Sequence, residues 1–269
     1  MSAHPALAAI GSAAALVTAA HAGPALTSLP PRRWLAPSLA GIGAPGHVAL
    51  TFDDGPDPGS TPAFLDALAG LGWRATFFML GSMAAAAPGL AAEVAAAGHE
   101  IALHGHTHRT HLARTPRAVA ADLARGRDVL SSLTGRVPVW HRPPYGVISG
   151  PGWWAARHLD LRLVLWSAWG RDWRAEASAE TVVADLARDL HGGATALLHD
   201  SDCTSAPGAW RSALGALPGL ADLVQARGLT VGPLRDHEVV AGWAPPGTRR
   251  QDRGRGDPRA GSVTTGRRR

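Results

Sequence analysis

Residues 51–56 read "TFDDGP" and set two carboxylates, Asp53 and Asp54, side by side at the end of the apolar run Val48–Phe52. A turn does not need two adjacent negative charges that repel each other, so the pair points to chemistry. Further along stand "HGHTHRTH" (His104 to His111), "HRPPYG" (His141 to Gly146), "AWGRDW" (Ala168 to Trp173) and His199-Asp200. Each stretch alone has an ordinary explanation as a turn or a solvated strand end. Their recurrence after five separate apolar runs does not. A catalytic zinc takes three protein ligands from His and carboxylate and leaves its fourth position to water. The first run offers the carboxylate and the histidine cluster two imidazoles. His104 and His108, four apart, share a face if the chain turns helical after its strand; His106 and His111 are rivals that spacing leaves open. One carboxylate on the metal and its neighbour free explains the doublet. The cation offsets the repulsion, and the free acid takes a proton from water.

Five strand ends converge only in certain folds. Apolar runs occur at Val48–Phe52, Ala75–Leu80, Glu100–His104, Val137–His141, Leu161–Ser167, Thr195–His199 and Leu229–Gly232. Helical stretches separate them, opened by Thr61-Pro62, Pro88, Thr115-Pro116 and Ser178 with Thr181, and several stop at Gly72, Gly98, Gly135 and Gly228. Strand–helix alternation requires a parallel sheet, because each crossover returns the chain to the same edge. Seven such units with continuous apolar strands predict an α/β fold, a closed or nearly closed barrel with outer helices; an open doubly wound sheet is the alternative. In a barrel the C-terminal strand ends open onto one face, where such folds place their active sites. No glycine-rich dinucleotide or phosphate-cradling loop follows any strand.

Composition narrows the partners. All 26 basic residues are arginine, and the net charge is +5. From Trp243 onward there are eight Arg and two Asp, a net of +6, so residues 1–242 carry 18 Arg against 19 acids, a net of −1. The folded body is therefore not a nucleic-acid binder; the basic tail is read as disordered and solvated, with contact to an anionic surface as the alternative. One cysteine, Cys203, excludes an internal disulfide and a cysteine zinc site, and no base can be assigned to it as a nucleophile. The N-terminal "ALAAIGSAAALVTAAHA" ends in a small-x-small pattern suited to signal-peptidase cleavage, yet no Arg or Lys precedes it, and a packed helix explains it equally. Secretion or a place in the cell envelope is favoured over the cytoplasm. The expected organisation is an N-terminal segment at 1–45, a catalytic domain at 46–242 and the tail at 243–269, acting as a monomer. Trp153-Trp154 read as part of a Gly/Pro-flanked loop on the active face, either packed in the core or the loop or stacked on sugar rings.

From about Gly46 to Pro233 the chain resembles the polysaccharide deacetylases of carbohydrate esterase family 4. "TFDDGP" is specific to that family, and "GHEIALHGHTH", "RPPYG", the "RDW" of "WGRDW" and "LLHD" resemble its later motifs in order. The resemblance implies a distorted, TIM-like (β/α)7 barrel and removal of N-acetyl groups from an acetylated glycan with a divalent metal, zinc or cobalt. O-acetyl ester hydrolysis, as on xylan, and a non-catalytic carbohydrate-binding relative are the alternatives. Carried over by position, Asp53 is the base, Asp54, His104 and His108 are the metal ligands, and Arg142 holds Asp53. The Tyr145 backbone N–H serves the oxyanion, His199 is the acid tuned by Asp172, and Trp173 and Leu197 line the acetyl pocket. Two positions depart from the pattern. Gly105 replaces a Ser or Thr, which implies the loss of a loop-bracing hydrogen bond, and Ser167 stands where many members have Asp.

Overall fold

The computed structural model describes residues 15–28 and 35–240. The basic tail and the first fourteen residues lie outside the described residues. Among the described residues eight strands run β1 His47–Asp53, β2 Thr76–Leu80, β3 Glu100–Gly105, β4 Trp140–His141, β5 Arg162–Leu163, β6 Ala168–Trp169, β7 Thr195–His199 and β8 Thr230–Gly232. From β1 onward the helices are α1 Thr61–Gly70, α2 Gly81–Ala86, α3 Pro88–Ala96, α4 Pro116–Thr134, α5 Gly150–His158, α6 Ala179–Asp189 and α7 Trp210–Ala226. Every strand pairing is parallel, in the order β5-β4-β3-β2-β1-β7-β6, with β8 beside the first residues of β1.

The fold is a distorted (β/α)7 barrel, and the distortion sits where the sequence reads a single strand, Leu161–Ser167. That stretch divides. Its start, β5, pairs with β4 at one end of the sheet, while β6 pairs with β7 at the other. The four residues between them cross the gap: Val164 N–H donates to His141 O (3.1 Å) and Ser167 N–H to Thr195 O (3.0 Å). In the middle, Leu165 N–H donates to Leu39 O (2.7 Å), so the segment before β1 plugs the seam. Ala36, Leu39 and Ala40 are buried there, so packing begins about ten residues before the expected domain start at Gly46. The predicted strand Val137–His141 shrinks to two residues, since Pro138 has no N–H to give a ladder and Val137 and Val139 face solvent.

Helix starts follow local chemistry. The Thr115 hydroxyl accepts from Ala118 N–H, and Ser178 with Thr181 forms a reciprocal capping box. Gly135 closes α4 in the left-handed conformation at φ 66°. Trp153-Trp154 are not in a loop. They lie in α5, whose Ser149 cap accepts from Gly152 N–H with Pro151 in the first turn. Gly-Pro-Gly masked that helix start. Trp153 packs near Ile148 and Leu165, and Trp154 lies tilted against His158 of its own helix (3.7 Å).

Alternation along β1 decides where chemistry can sit. Val48, Leu50 and Phe52 face the helices and join the main core. Ala49 faces inward onto Phe78, Ala102, Trp140, Val164 and Leu234, which close the barrel floor. Thr51 and Asp53 therefore continue the inward face above an apolar plug. Residues 15–22 are helical and mostly exposed, with His21 Nε2 lying 3.0 Å from Leu112 O. Among the described residues no helix is long and apolar enough to cross a membrane.

Candidate active site

β1 delivers Asp53, which is only 3% exposed, beside a fully buried Arg142. The Arg142 guanidinium donates to Asp53 Oδ1 (2.6 Å), Thr51 Oγ1 (2.9 Å) and Leu165 O (2.7 Å), and lies 4.1 Å over the Phe78 ring. Burial pulls the guanidinium down from its ordinary value, and the Asp53 carboxylate opposes this. One oxygen of Asp53 is thus committed to Arg142; Oδ2 lies 4.0 Å from His104 Nδ1.

Asp54, one residue past the end of β1, adopts φ 82° and turns its side chain elsewhere. Its Oδ1 lies 3.3 Å from both His104 Nε2 and His108 Nε2, and the three ligand atoms are all within 4.8 Å of one another. Asp54 Oδ1 is buried and has no hydrogen-bond partner. His104 Nδ1–H donates to the Arg142 carbonyl (2.8 Å), which leaves Nε2 as a lone-pair donor facing Asp54. The His108 ring meets Tyr145 edge-on (4.5 Å), and burial, then the His104 charge, pull it down to about 4. Burial pushes the Asp54 carboxyl up, but the neighbouring imidazoles of His104, His199 and His108 outweigh it and hold it well below the usual range. A carboxylate with an unpartnered buried oxygen and two imidazole Nε2 atoms facing it fit a divalent cation.

β7 lies beside β1 with Asp53 opposite His199. His199 Nδ1–H donates to Asp172 Oδ1 (2.9 Å), and His199 N–H to Asp172 Oδ2 (2.7 Å). Burial alone lowers this imidazole, but the Asp172 charge and hydrogen bond, aided by Asp54 and Asp53, raise it to about 10. Leu197, two residues back, is register-paired with Thr51 and with Trp169, while its neighbours Ala196 and Leu198 face the outer core. Leu197 therefore points inward. Trp173 is 44% exposed and stacks on Trp169 (6.3 Å), which links it to that wall. The Tyr145 backbone stands at φ 59° on the loop after β4.

His106 and His111 lie away from Asp54. A Cβ on Gly81 would meet His106 Nδ1 at 2.7 Å, which places that ring against α2, and His111 stacks on His141 (5.9 Å). Gly105 offers no side chain to brace the loop, and Asp122 of α4 braces it instead. Asp122 Oδ2 accepts from His106 N–H (2.8 Å) and Oδ1 from the Thr107 hydroxyl (2.7 Å). Gly105 itself sits at φ 122°, a region that side chains rarely adopt, with Asp122 3.2 Å from where a Cβ would stand. Ser167, the second departure, accepts from Thr195 N–H (3.0 Å) and so serves the barrel seam. Sequence reasoning also missed Thr204, whose hydroxyl donates to Asp54 Oδ2 (2.8 Å). The only available signal for Asp122 was a carboxylate on the buried stripe of α4. Cys203 has its thiol pushed up to about 12 by burial and the Asp54 charge, which removes it as a nucleophile.

The family model described as polysaccharide deacetylase matches residues 41–164. The chain is 35% identical over 196 residues to a chitooligosaccharide deacetylase of Bradyrhizobium sp., covering 70% of this chain and 88% of that protein. It is 32% identical over 160 residues to a peptidoglycan-N-acetylglucosamine deacetylase of Listeria monocytogenes, covering 60% of this chain but spanning about a third (34%) of that longer protein. A family 4 carbohydrate esterase from Streptomyces lividans, solved with acetate, superposes with a TM-score of 0.64 at 29% identity over 74% of this chain and 98% of that one. With its parallel barrel and this resemblance over most of its length, the chain belongs to the polysaccharide deacetylases, the hydrolases of carbohydrate esterase family 4.

Proposed function

We propose that the protein removes N-acetyl groups from N-acetylated sugars of a glycan, chitin-like, peptidoglycan-like or lipid-linked, at a site that holds zinc or cobalt. The observation that carries this reading is the unpartnered Asp54 Oδ1 facing two imidazole Nε2 atoms at 3.3 Å. Chitooligosaccharide and peptidoglycan deacetylases among its relatives support the substrate class, and the peptidoglycan enzymes favour action in or beyond the cell envelope. A divalent cation held by Asp54, His104 and His108 supplies a Lewis acid for the acyl carbonyl and lowers the pKa of a water there.

The chain's own residues do the rest. Asp53, locked by Arg142, accepts the proton of the attacking water as the new C–O bond forms. The Tyr145 backbone N–H is offered to the negative charge that builds on the carbonyl oxygen. An amine leaves poorly until protonated, so His199, kept protonated by Asp172, donates to nitrogen as the C–N bond breaks. Leu197 and Trp173 give the acetyl methyl an apolar wall.

The test is acetate release by chelator-treated protein, with and without added zinc or cobalt, from chito-oligosaccharides, peptidoglycan fragments and acetylated xylan. Release from an N-acetylated glycan that returns with metal is expected. Release confined to xylan overturns the N-acetyl assignment, and unaltered release after chelation overturns the metal.

A further inference from the structure

We propose that Asp200 is a positioning residue for the cation site: it fixes the turn that aims Asp54 at His104 and His108. The inference rests on reading that trio as a metal centre. Asp54 must hold φ 82°, a left-handed conformation that a non-glycine residue keeps only when its surroundings impose it. The backbone on both sides of Asp54 is tied to Asp200. Before it, Asp53 O accepts from Asp200 N–H (3.3 Å); after it, Gly55 N–H donates to Asp200 Oδ1 (3.2 Å). The other carboxylate oxygen accepts from the Thr61 hydroxyl (2.6 Å), and the Asp200 carbonyl accepts from the Ser60 hydroxyl (2.6 Å), so the start of α1 is fastened to the same residue.

The approach is close: a Cβ on Gly55 would stand 2.2 Å from Asp200 Oδ2, so the turn is fitted to this carboxylate. Asp200 is 1% exposed and both its oxygens are engaged with the turn and with α1. It therefore acts through Asp54. The same loop extends to Thr204, which holds the outer oxygen of Asp54 and leaves Oδ1 for the imidazoles. Bonds to the backbone flanking a ligand set its angle, as a bond to a ligand's far atom does.

The competing role is a plain anchor for α1, and cobalt(II) titration of the full chain, followed by absorbance, separates the two. Asp200→Ala is expected to bind cobalt at least tenfold more weakly than the wild type. Asp200→Asn, whose amide oxygen still accepts from Gly55 N–H and whose NH2 reaches Thr61, restores affinity to within threefold. Thr61→Val, which removes the hydroxyl that joins α1 to the Asp200 carboxylate and to Asp57 N–H but leaves the Asp200–Gly55 bond, lowers the melting temperature and leaves cobalt affinity in place. A folded Asp200→Ala protein with wild-type cobalt affinity overturns the proposal. Should that variant fail to fold, Gly55→Ala displaces the carboxylate instead, with the same tenfold loss expected and unchanged affinity fatal. A wild type that binds no cobalt removes the metal-centre reading, and this inference with it. Cobalt-binding wild type beside an unaffected Asp200→Ala removes the inference alone.

Discussion

Asp53 and Asp54 share a peptide bond but not an electrostatic environment. Arg142 neutralises the first at 2.6 Å, while two imidazoles face the second at 3.3 Å. That separation lets adjacent acids carry different duties, and it predicts different losses. Asp54→Ala and His104→Ala are expected to lose bound zinc and acetate release together, whereas Asp53→Asn keeps zinc and loses turnover by at least a hundredfold, in line with general acid–base contributions of ~10² to 10⁴. Elemental analysis beside the rate decides it; a metal-free Asp53→Asn protein reverses the two assignments. His199 gives the second residue-scale prediction. Burial lowers its pKa, and Asp172 more than compensates, raising it to about 10. A general acid works below its pKa and fails as pH rises through it. Asp172→Asn leaves burial unopposed by that charge, so the alkaline limb of kcat/KM is expected to move to lower pH by more than one unit. An alkaline limb that stays in place removes His199 from the acid role.

Elements place these residues through contacts far apart in sequence. β3 carries His104 and ends in Gly105 at φ 122°, and the loop that leads on to His108 is braced by Asp122 from α4, 16 residues from His106. Gly105→Ala forces a side chain into a region closed to it, at a cost of roughly 1–3 kcal/mol. It is expected to lower urea stability by that amount and to weaken zinc binding; a variant with unchanged stability means that the loop accommodates the Cβ. This also shows what the sequence can and cannot say. β1, β2, β3 and β7 are legible as apolar runs buried on both faces, and α4 and α6 as capped periodic stretches. The division of Leu161–Ser167 is not, because it depends on Leu39 sealing the gap from 126 positions upstream. α5 was hidden behind Gly150-Pro151-Gly152, where the Ser149 cap was the usable sign. Thr204 carries no pattern of its own, and Asp200 shows only as the end of "LLHD", with nothing to say what it binds; their partners lie about 140 to 150 residues away, in the turn after β1 and at the start of α1.

At the scale of the whole molecule, the barrel buries imidazoles well beyond those facing Asp54, and this sets how it tolerates acid. Burial is the first cause for each. His99 stands at about 4, with the Arg74 and Arg235 charges adding to burial, and His111 at about 4, with Asp122 opposing. His141 stands at about 3, lowered further by His111 and opposed by its bond to the Leu103 carbonyl. His237 stands at about 4 against His47, with the Gly41 and Gly193 carbonyls opposing, and His108 at about 4. All are depressed from an ordinary value of 6.5, so below that pH the unfolded chain binds more protons than the native one. Their contribution to stability is complete above about pH 6.5 and drains away as pH falls toward about 4. Each displaced unit is worth ~1.4 kcal/mol, so several such groups together rival the ~5–15 kcal/mol by which a domain is stable. Metal-free protein is therefore expected to show a urea unfolding free energy that falls steeply between about pH 6 and 4.5, the five imidazoles outweighing the single opposing carboxyl of Asp200, which burial raises to about 7. His141→Phe, which removes the deepest of these imidazoles, is expected to shallow that fall even though it also forfeits the bond to Leu103 O. A free energy that holds level from pH 7 to 4.5 means that these rings titrate alike in the folded and unfolded chains, and that the barrel shields none of them from protons.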